Sequence, residues 1–362
     1  MANTGQRTRA ADGQPGTNDD VSAATLPRSA ATARRRVLLA GVALAVSVSV
    51  LGLLALGAGW EQSVRVLERA RWQLLWAVIA SHLLAYMGYL LAHHRFLNLC
   101  SERSLRWRET TIVLVVGFGA LPVQGGFGVD RAALLGLGID REEAAISSLT
   151  LAVIELAILA PAAWVCSLLL IGTHGVQASE SLPWAILVPL LAAPVLVCTA
   201  RATRRRSTPQ ARRPRVRRAL AAIAQTLELA RHPLQSRSVV LGIGLYWAAD
   251  IGALALALRL CHVHLGLSRL ILAYATGYLL TRRALPLAGA GASEVLLCLS
   301  LASVGVALHV AVPAVLIYRV TDLALTLLPA LASNPAFIRL ARLKPYTPAE
   351  GIGRNGAGVA QK

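Results

Sequence analysis

Lysine is almost missing from this chain of 362 residues. Only Lys344 and Lys362 occur among 36 basic residues, so the positive charge is nearly all arginine. Charge of any kind is scarce, at 15% of the chain, where a soluble domain carries about 25%. The charges are also segregated, leaving apolar runs of about twenty residues between them, which excludes a soluble enzyme. Cysteine is sparse as well. The five, at 100, 166, 198, 261 and 298, show no CxxC spacing and read as small membrane-core residues. Cys261, His262 and His264 are neighbours, but no second ligand pair lies near them in sequence, so no metal site is expected. There is no HExxH element, which leaves an intramembrane lipid-modifying enzyme without a motif.

What the chain does have is apolar length, with 56% of it hydrophobic. The 18 acidic residues leave a net charge of +18. In a soluble protein that balance points to nucleic acid. Here nine of the arginines lie between Arg201 and Arg218, with an apolar segment on either side, as in the cytoplasmic loops of membrane proteins. No nucleic-acid partner is therefore expected.

Residues 1–33 contain almost no large apolar side chain and are expected to form a disordered cytoplasmic tail. A membrane domain follows over 34–335, and 336–362 form a second cytoplasmic tail. Arg34, Arg35 and Arg36 precede an apolar run from Val37 to Leu56. Its length favours an uncleaved first helix over a twin-arginine signal peptide. Further segments able to cross about 30 Å of hydrocarbon are Leu74–Ala92, Ala144–Ile171, Trp184–Thr199, Val239–Leu258, Leu267–Leu280 and Val310–Leu331. Between Trp60 and Trp72, charged residues alternate with Val64 and Leu67, as in a short helix lying in the interface.

Arginine counting orients the chain. The N-terminal tail, the 99–110 loop, the 201–218 loop and the C-terminal tail are arginine-rich and belong inside, whereas 173–182 and 259–266 belong outside. Residues 111–142 then begin and end on the cytoplasmic side, with arms too short to cross and return. A re-entrant hairpin breaking at Pro122 to Gly126 fits better, since such a break is tolerated only where it is buried or lines a cavity.

An offset of 164 aligns Ala120-Leu121-Pro122 with Ala284-Leu285-Pro286, Gly125 with Gly289, Asp130 with Glu294, and Glu155 with Arg319. The second copy follows an outer loop, so the copies are inverted. That is a transporter architecture, with the substrate site near midplane where half-helix ends meet. The expected fold is an all-α polytopic membrane bundle of about six full transmembrane helices plus two broken or re-entrant hairpins. The alternative is eight or more full spans, with Leu267–Leu280 crossing completely and Arg282 and Arg283 as cytoplasmic anchors.

Glu155, Asp250, Glu294, Arg319 and Asp322 fall inside apolar runs, where each charge costs about 2.5 to 3.5 kcal/mol at a helix centre. Arg319 and Asp322 can pair along one helix face, and the repeat sets Glu155 opposite Arg319. A structural ion pair and an anion-binding, proton-carrying pathway both fit these charges. Gly125 and Gly126 in one copy, and Gly289 and Gly291 in the other, lead into helix N-termini that favour an anion. Asp130 and Glu294 at those termini are either capping acids or coupling groups. Arg131 is a candidate phosphate contact, and Asp250, Arg282 and Arg283 are further candidates.

Gly125-Gly126-Phe127-Gly128-Val129-Asp130-Arg131, then Gly138-Ile139-Asp140-Arg141-Glu142-Glu143-Ala144, then Leu285-Pro286 with Gly289, Gly291 and Glu294, then Tyr318-Arg319 occur in that order. Together they resemble the lysylphosphatidylglycerol synthase transmembrane family, the flippase-like domain family, over roughly residues 37 to 335. Leu287 and Ala288 depart from that family's Pro-Gly-Gly element. Leu156 stands where an arginine often follows the glutamate equivalent to Glu155. The resemblance implies a flippase-like transporter that moves a phospholipid or polyprenyl-linked lipid across the cytoplasmic membrane, not an enzyme and without a cofactor. The implied ligands are lipids with an anionic or lipid-linked head group. A scaffold subunit of an envelope or lipid biosynthesis complex is the alternative, and a homodimer or an envelope-biosynthesis enzyme the possible protein partner.

Overall fold

A computed structural model describes residues 30–100, 106–112, 114–115, 134–135, 139–173, 176, 178–205, 214–279 and 290–343. The described chain is built from helices. They are α1 (Ala30–Ala58), α2 (Trp60–Glu68), α3 (Leu75–Cys100), α4 (Arg141–Leu170), α5 (Ala178–Arg205), α6 (Pro214–Arg231), α7 (Pro233–Leu260), α8 (Leu267–Tyr274), α9 (Ala292–Ser303) and α10 (Leu308–Leu343). Among the described residues, five stretches are long and apolar enough to cross a membrane: Gly41–Ala58, Trp72–Leu99, Arg141–Leu170, Ser236–Leu260 and Leu308–Thr326. The protein is a polytopic bundle of membrane helices. The remaining expected span, Trp184–Thr199, lies in α5, a helix interrupted by Pro183, Pro189 and Pro194.

Leucine, alanine and valine all round these helices leave large apolar side chains exposed, among them Leu53, Met87, Leu190 and Leu191. In a bilayer the outer surface meets lipid tails, so such side chains need no water-facing partner. Contacts between helices then depend on close packing of small residues. The pair α3 and α7 forms the centre of the bundle this way. A Cβ added to Gly88 would stand 2.7 Å from the carbonyl oxygen of Gly242, and one added to Gly242 would stand 2.7 Å from the carbonyl oxygen of Gly88. Backbone therefore meets backbone at this crossing.

The short helix expected between Trp60 and Trp72 is present as α2, joined to α3 by a tight turn at Trp72–Leu74. The basic stretch 201–218 is partly helical. α5 continues through Arg205 and α6 starts at Pro214. Sequence reading gave no element to α6, whose amphipathic face packs on α4. Thr150 donates to Gln225 at 2.8 Å there, and Arg217 pairs with Glu142.

α8 runs into a π-helical turn at Ala275–Leu279, and α9 packs back against it. A Cβ on Gly277 would fall 2.5 Å from the Cα of Leu297. With 12 residues rising 1.5 Å each, α9 is about 18 Å long, well short of the hydrocarbon thickness. The described part of the other arm, Leu267–Tyr274 with Ala275–Leu279, is likewise short of that thickness. The stretch expected to form the hairpin tip, with Arg282, Arg283, Pro286 and Gly289, lies outside the described residues, as does most of the 111–138 segment with Pro122.

Candidate functional site

Gly291 begins α9 with φ of 87°, a left-handed conformation that a side chain strains, and Val46 and Val50 of α1 press on it from outside. From the first turn of α9, Glu294 reaches back so that the Gly291 N–H donates to Oε2 at 2.7 Å. This is the glutamate half of a capping box. Ser293 Oγ donates to the same oxygen at 2.9 Å. On the other oxygen, Arg319 Nε donates to Oε1 at 2.7 Å and Ser47 Oγ of α1 at 2.9 Å. Four donors thus meet the four acceptor directions of one carboxylate. Glu294 caps the helix and holds the arginine at once, so the two roles considered for it from sequence are one arrangement.

Arg319 comes from α10, and Asp322 follows one turn later on the same face. Nη1 of Arg319 donates to Asp322 Oδ2 at 2.9 Å. The other oxygen of Asp322 accepts the Tyr86 hydroxyl of α3 at 2.5 Å. All three ionic side chains are buried: Glu294 is 0% exposed, Arg319 3% and Asp322 4%. One guanidinium between two carboxylates gives a formal charge of −1 when both acids are ionised. An arriving anion therefore has to displace a carboxylate, since adding a third negative group to one cation raises the repulsion steeply at low dielectric.

A second buried polar group adjoins the triad. Asp250 of α7 accepts the Tyr274 hydroxyl on Oδ2 at 2.5 Å, and its Oδ1 lies 3.4 Å from His82 Nδ1 of α3. The His82 ring stacks on Tyr86 with centroids 6.5 Å apart and an interplanar angle of 18°, and meets Tyr318 at 5.1 Å. Tyr86 therefore belongs to both groups.

A third polar cluster sits where α5 begins. Glu180 is buried, and the hydroxyls of Thr276, Ser303 and Ser300 bear on its carboxyl, yet Oε1 has no hydrogen-bond partner among the described residues. Burial pushes this carboxyl above the ordinary glutamate value. Two of those hydroxyl protons are already engaged. Thr276 Oγ1 donates to the Leu272 carbonyl at 3.0 Å and Ser303 Oγ to the Ser300 carbonyl at 2.7 Å. At the end of the bundle where α4 begins, Asp140 caps that helix by accepting the Glu142 N–H at 2.8 Å, a bond that holds its carboxyl below the usual aspartate range.

Of the residues singled out in the sequence, Gly291, Glu294, Arg319 and Asp322 come together. Glu155 is buried on α4, where its backbone carbonyl accepts Trp247 Nε1 at 3.2 Å. The partners shown for Arg319 are Glu294 and Asp322, where the repeat had set Glu155 opposite it. Asp250 stands in the adjoining group. Gly125, Gly126, Asp130, Arg131, Gly289, Arg282 and Arg283 lie outside the described residues. Ser47, His82, Tyr86 and Tyr274 were not read from sequence, and Tyr318 entered only as part of the family resemblance. The available signal was that each interrupts an apolar run with a polar atom, and His82 is the strongest such case.

A family model described as the lysylphosphatidylglycerol synthase TM region matches residues 39–330. The chain belongs to that family. The lysylphosphatidylglycerol synthase TM region thus starts inside α1 and ends inside α10, enclosing the triad, the Asp250 group and the two stretches expected from sequence to form hairpins. No curated protein and no solved structure matches the chain.

Proposed function

We propose that this protein is a flippase-like transporter that carries a phospholipid or polyprenyl-linked lipid across the cytoplasmic membrane, with Arg319 as the contact for the head-group phosphate. The observation that supports this most is a guanidinium held between Glu294 and Asp322 at the start of a half-length helix. Broken helices of this kind, in inverted repeats, hold the substrate and coupling-ion sites of secondary transporters. Membership of a membrane family of the lysylphosphatidylglycerol synthase type supports the same reading.

The reading involves no bond-making chemistry. In the closed arrangement the carboxylates stand where a phosphate would stand. Arrival of an anionic head group releases Asp322, the acid with fewer donors shown, and puts a phosphate on the freed side of the guanidinium. Arginine suits this exchange because its planar fork binds either anion through paired N–H groups. Lipid tails stay in the bilayer throughout. The glycines and charges of the first hairpin, Gly125, Gly126, Asp130 and Arg131, are assigned with Glu155 to the opposite wall of the same route. Both termini and the 201–218 stretch are assigned to the cytoplasm on their arginine excess.

Reconstituted vesicles holding fluorescent phosphatidylglycerol test the reading, with dithionite quenching reporting which leaflet the label occupies. Native protein is expected to move label between leaflets, and Asp322→Asn and Arg319→Gln to fall to the protein-free rate. Movement by Arg319→Gln at the native rate sinks the site assignment.

A further inference from the structure

Glu180 stands in the first turn of α5 and is 7% exposed, and its Oε1 has no hydrogen-bond partner among the described residues. Three hydroxyls bear on its carboxyl: Thr276 from the π-helical turn, and Ser300 and Ser303 from the last turn of α9. Among the described residues no arginine, lysine, histidine or cysteine bears on it. A carboxylate buried this far is costly unless something positive stands beside it.

Two of the hydroxyls turn their protons away from the acid. Thr276 Oγ1 donates to the Leu272 carbonyl at 3.0 Å and accepts Trp184 Nε1 of α5 at 2.8 Å. Ser303 Oγ donates to the Ser300 carbonyl at 2.7 Å. Each oxygen is left with a lone pair for the carboxyl and no proton, while the Ser300 hydroxyl can turn to present either. Lone pairs thus converge on a carboxylate with nothing positive between them, which is the donor set of a hard cation. The backbone setting favours the same sign of charge. α9 ends here, so the negative end of its dipole points at the cluster, and half-helix C-terminal ends hold coupling cations in transporters.

The charge count chooses among cations. One carboxylate neutralises one positive charge, and neutral hydroxyls add none. Calcium takes about six to eight oxygens, carboxylates prominent among them, and would strand a positive charge in this place. Spacing separates a cation from a proton. A proton ties a carboxyl to one hydroxyl at about 2.5 to 3.0 Å, whereas an ion about 2.3 to 2.6 Å from each oxygen, as calcium is, keeps its ligands more than about 3 Å apart. A carboxyl whose Oε1 hydrogen-bonds to none of the hydroxyls beside it matches the second arrangement.

We infer that Glu180, Thr276, Ser300 and Ser303 form a binding site for one monovalent alkali cation, held by the Glu180 carboxylate and the three hydroxyl oxygens. The cation takes the place of the proton that burial otherwise keeps on the carboxyl, so no net charge is added to the bundle. Ser303 is nine residues along α9 from Glu294, about 13 Å, which sets this site apart from the Arg319 triad. The inference does not rest on the transport reading.

The test is the thermal midpoint of the full-length protein in detergent at about pH 8, where an ordinary glutamate is ionised. Sodium chloride or potassium chloride is titrated in, with choline chloride holding the ionic strength constant, since choline is too bulky for a four-oxygen site. A ligand that binds only the folded state raises the midpoint in step with its occupancy. Native protein is expected to show that rise with at least one of the two alkali salts, and Glu180→Gln, which keeps the shape without the charge, to lose it. Ser303→Ala removes one ligand oxygen and leaves the acid. It is expected to need at least threefold more salt for the same rise, and it carries the test where Glu180→Gln does not assemble. A native midpoint indifferent to both alkali salts would show that a proton or a water compensates Glu180, and overturns the site. A native-like rise in Glu180→Gln, or an unchanged salt requirement in Ser303→Ala, overturns it as well. None of these readings involves lipid movement, so the transport reading stands or falls on its own assay.

Discussion

Arg319 and Glu294 are 25 residues apart in sequence and meet at 2.7 Å with both side chains buried. Glu294 also receives the Gly291 N–H, the Ser293 hydroxyl and the Ser47 hydroxyl. One carboxylate therefore ties together α1, the start of α9 and α10.

This tie makes Glu294 a poor test of transport alone. Removing Arg319 leaves two buried carboxylates without their cation, which costs about 3 to 5 kcal/mol. Removing the Glu294 charge disturbs four buried donors, each costing about 1 to 3 kcal/mol if left unsatisfied. Glu294→Gln and Arg319→Leu are each expected to lower the thermal midpoint of detergent-solubilised protein, and the double variant to lose less than the sum. Asp322→Asn keeps the Arg319 and Glu294 bond and is expected to melt close to the native protein. A native-like midpoint for Glu294→Gln would show that the network does not hold the fold.

The crossing of α3 and α7 has no room for a methyl group. Because the atoms facing the new Cβ are backbone carbonyls and amides rather than flexible side-chain ends, the helices have to separate. Overpacking of this kind costs about 1 to 3 kcal/mol. Gly88→Ala and Gly242→Ala are each expected to destabilise by that amount, whereas Gly244→Ala, with nothing within 4 Å of its Cβ, costs nothing comparable. Equal midpoints for Gly88→Ala and Gly244→Ala would contradict the close crossing.

Glu180 gives a pH dependence with a definite sign. Its carboxyl is raised in the folded state, so the folded protein binds a proton that the unfolded chain releases more readily. Its contribution is complete below the unfolded value, which is near 4.5. It is lost as pH rises through the folded value. Native protein is expected to lose stability over that interval, and Glu180→Gln to flatten the loss, since the amide stays neutral and can donate to the oxygens of Thr276 or Ser303. A Glu180→Gln profile that superimposes on the native one would remove the carboxyl as the source.

The proposed orientation is checked by single-cysteine labelling in a background without the native cysteines. Ser179→Cys is expected to react with an impermeant maleimide in intact cells, and Ser207→Cys only after lysis. The reverse pattern would invert the molecule.

Much of this architecture is written in one dimension. Crossing a bilayer requires about twenty apolar residues in sequence, so the helices α1, α3, α4, α7 and α10 were legible from hydropathy alone, and Gly291 and Glu294 marked the start of the half-length helix. α6 escaped because its arginines hid an amphipathic face that only α4 completes. The pairing of Arg319 with Asp322, one turn apart on a single helix, was legible, but pairing between helices was not. The repeat set Glu155 against Arg319 because an alignment equates positions, whereas a buried guanidinium goes to the carboxylates whose remaining lone pairs other donors can fill. Ser47, Gly291 and Tyr86 fill them from three separate segments. Likewise His82 and Asp250 are 168 residues apart and become a pair only because Gly88 and Gly242 let α3 and α7 approach to backbone contact. The sequence by itself determined a polytopic membrane bundle and the placing of charges within it, since both follow from local composition. Only the tertiary structure decided which charges on different helices neutralise one another, because that depends on distances set by helix packing.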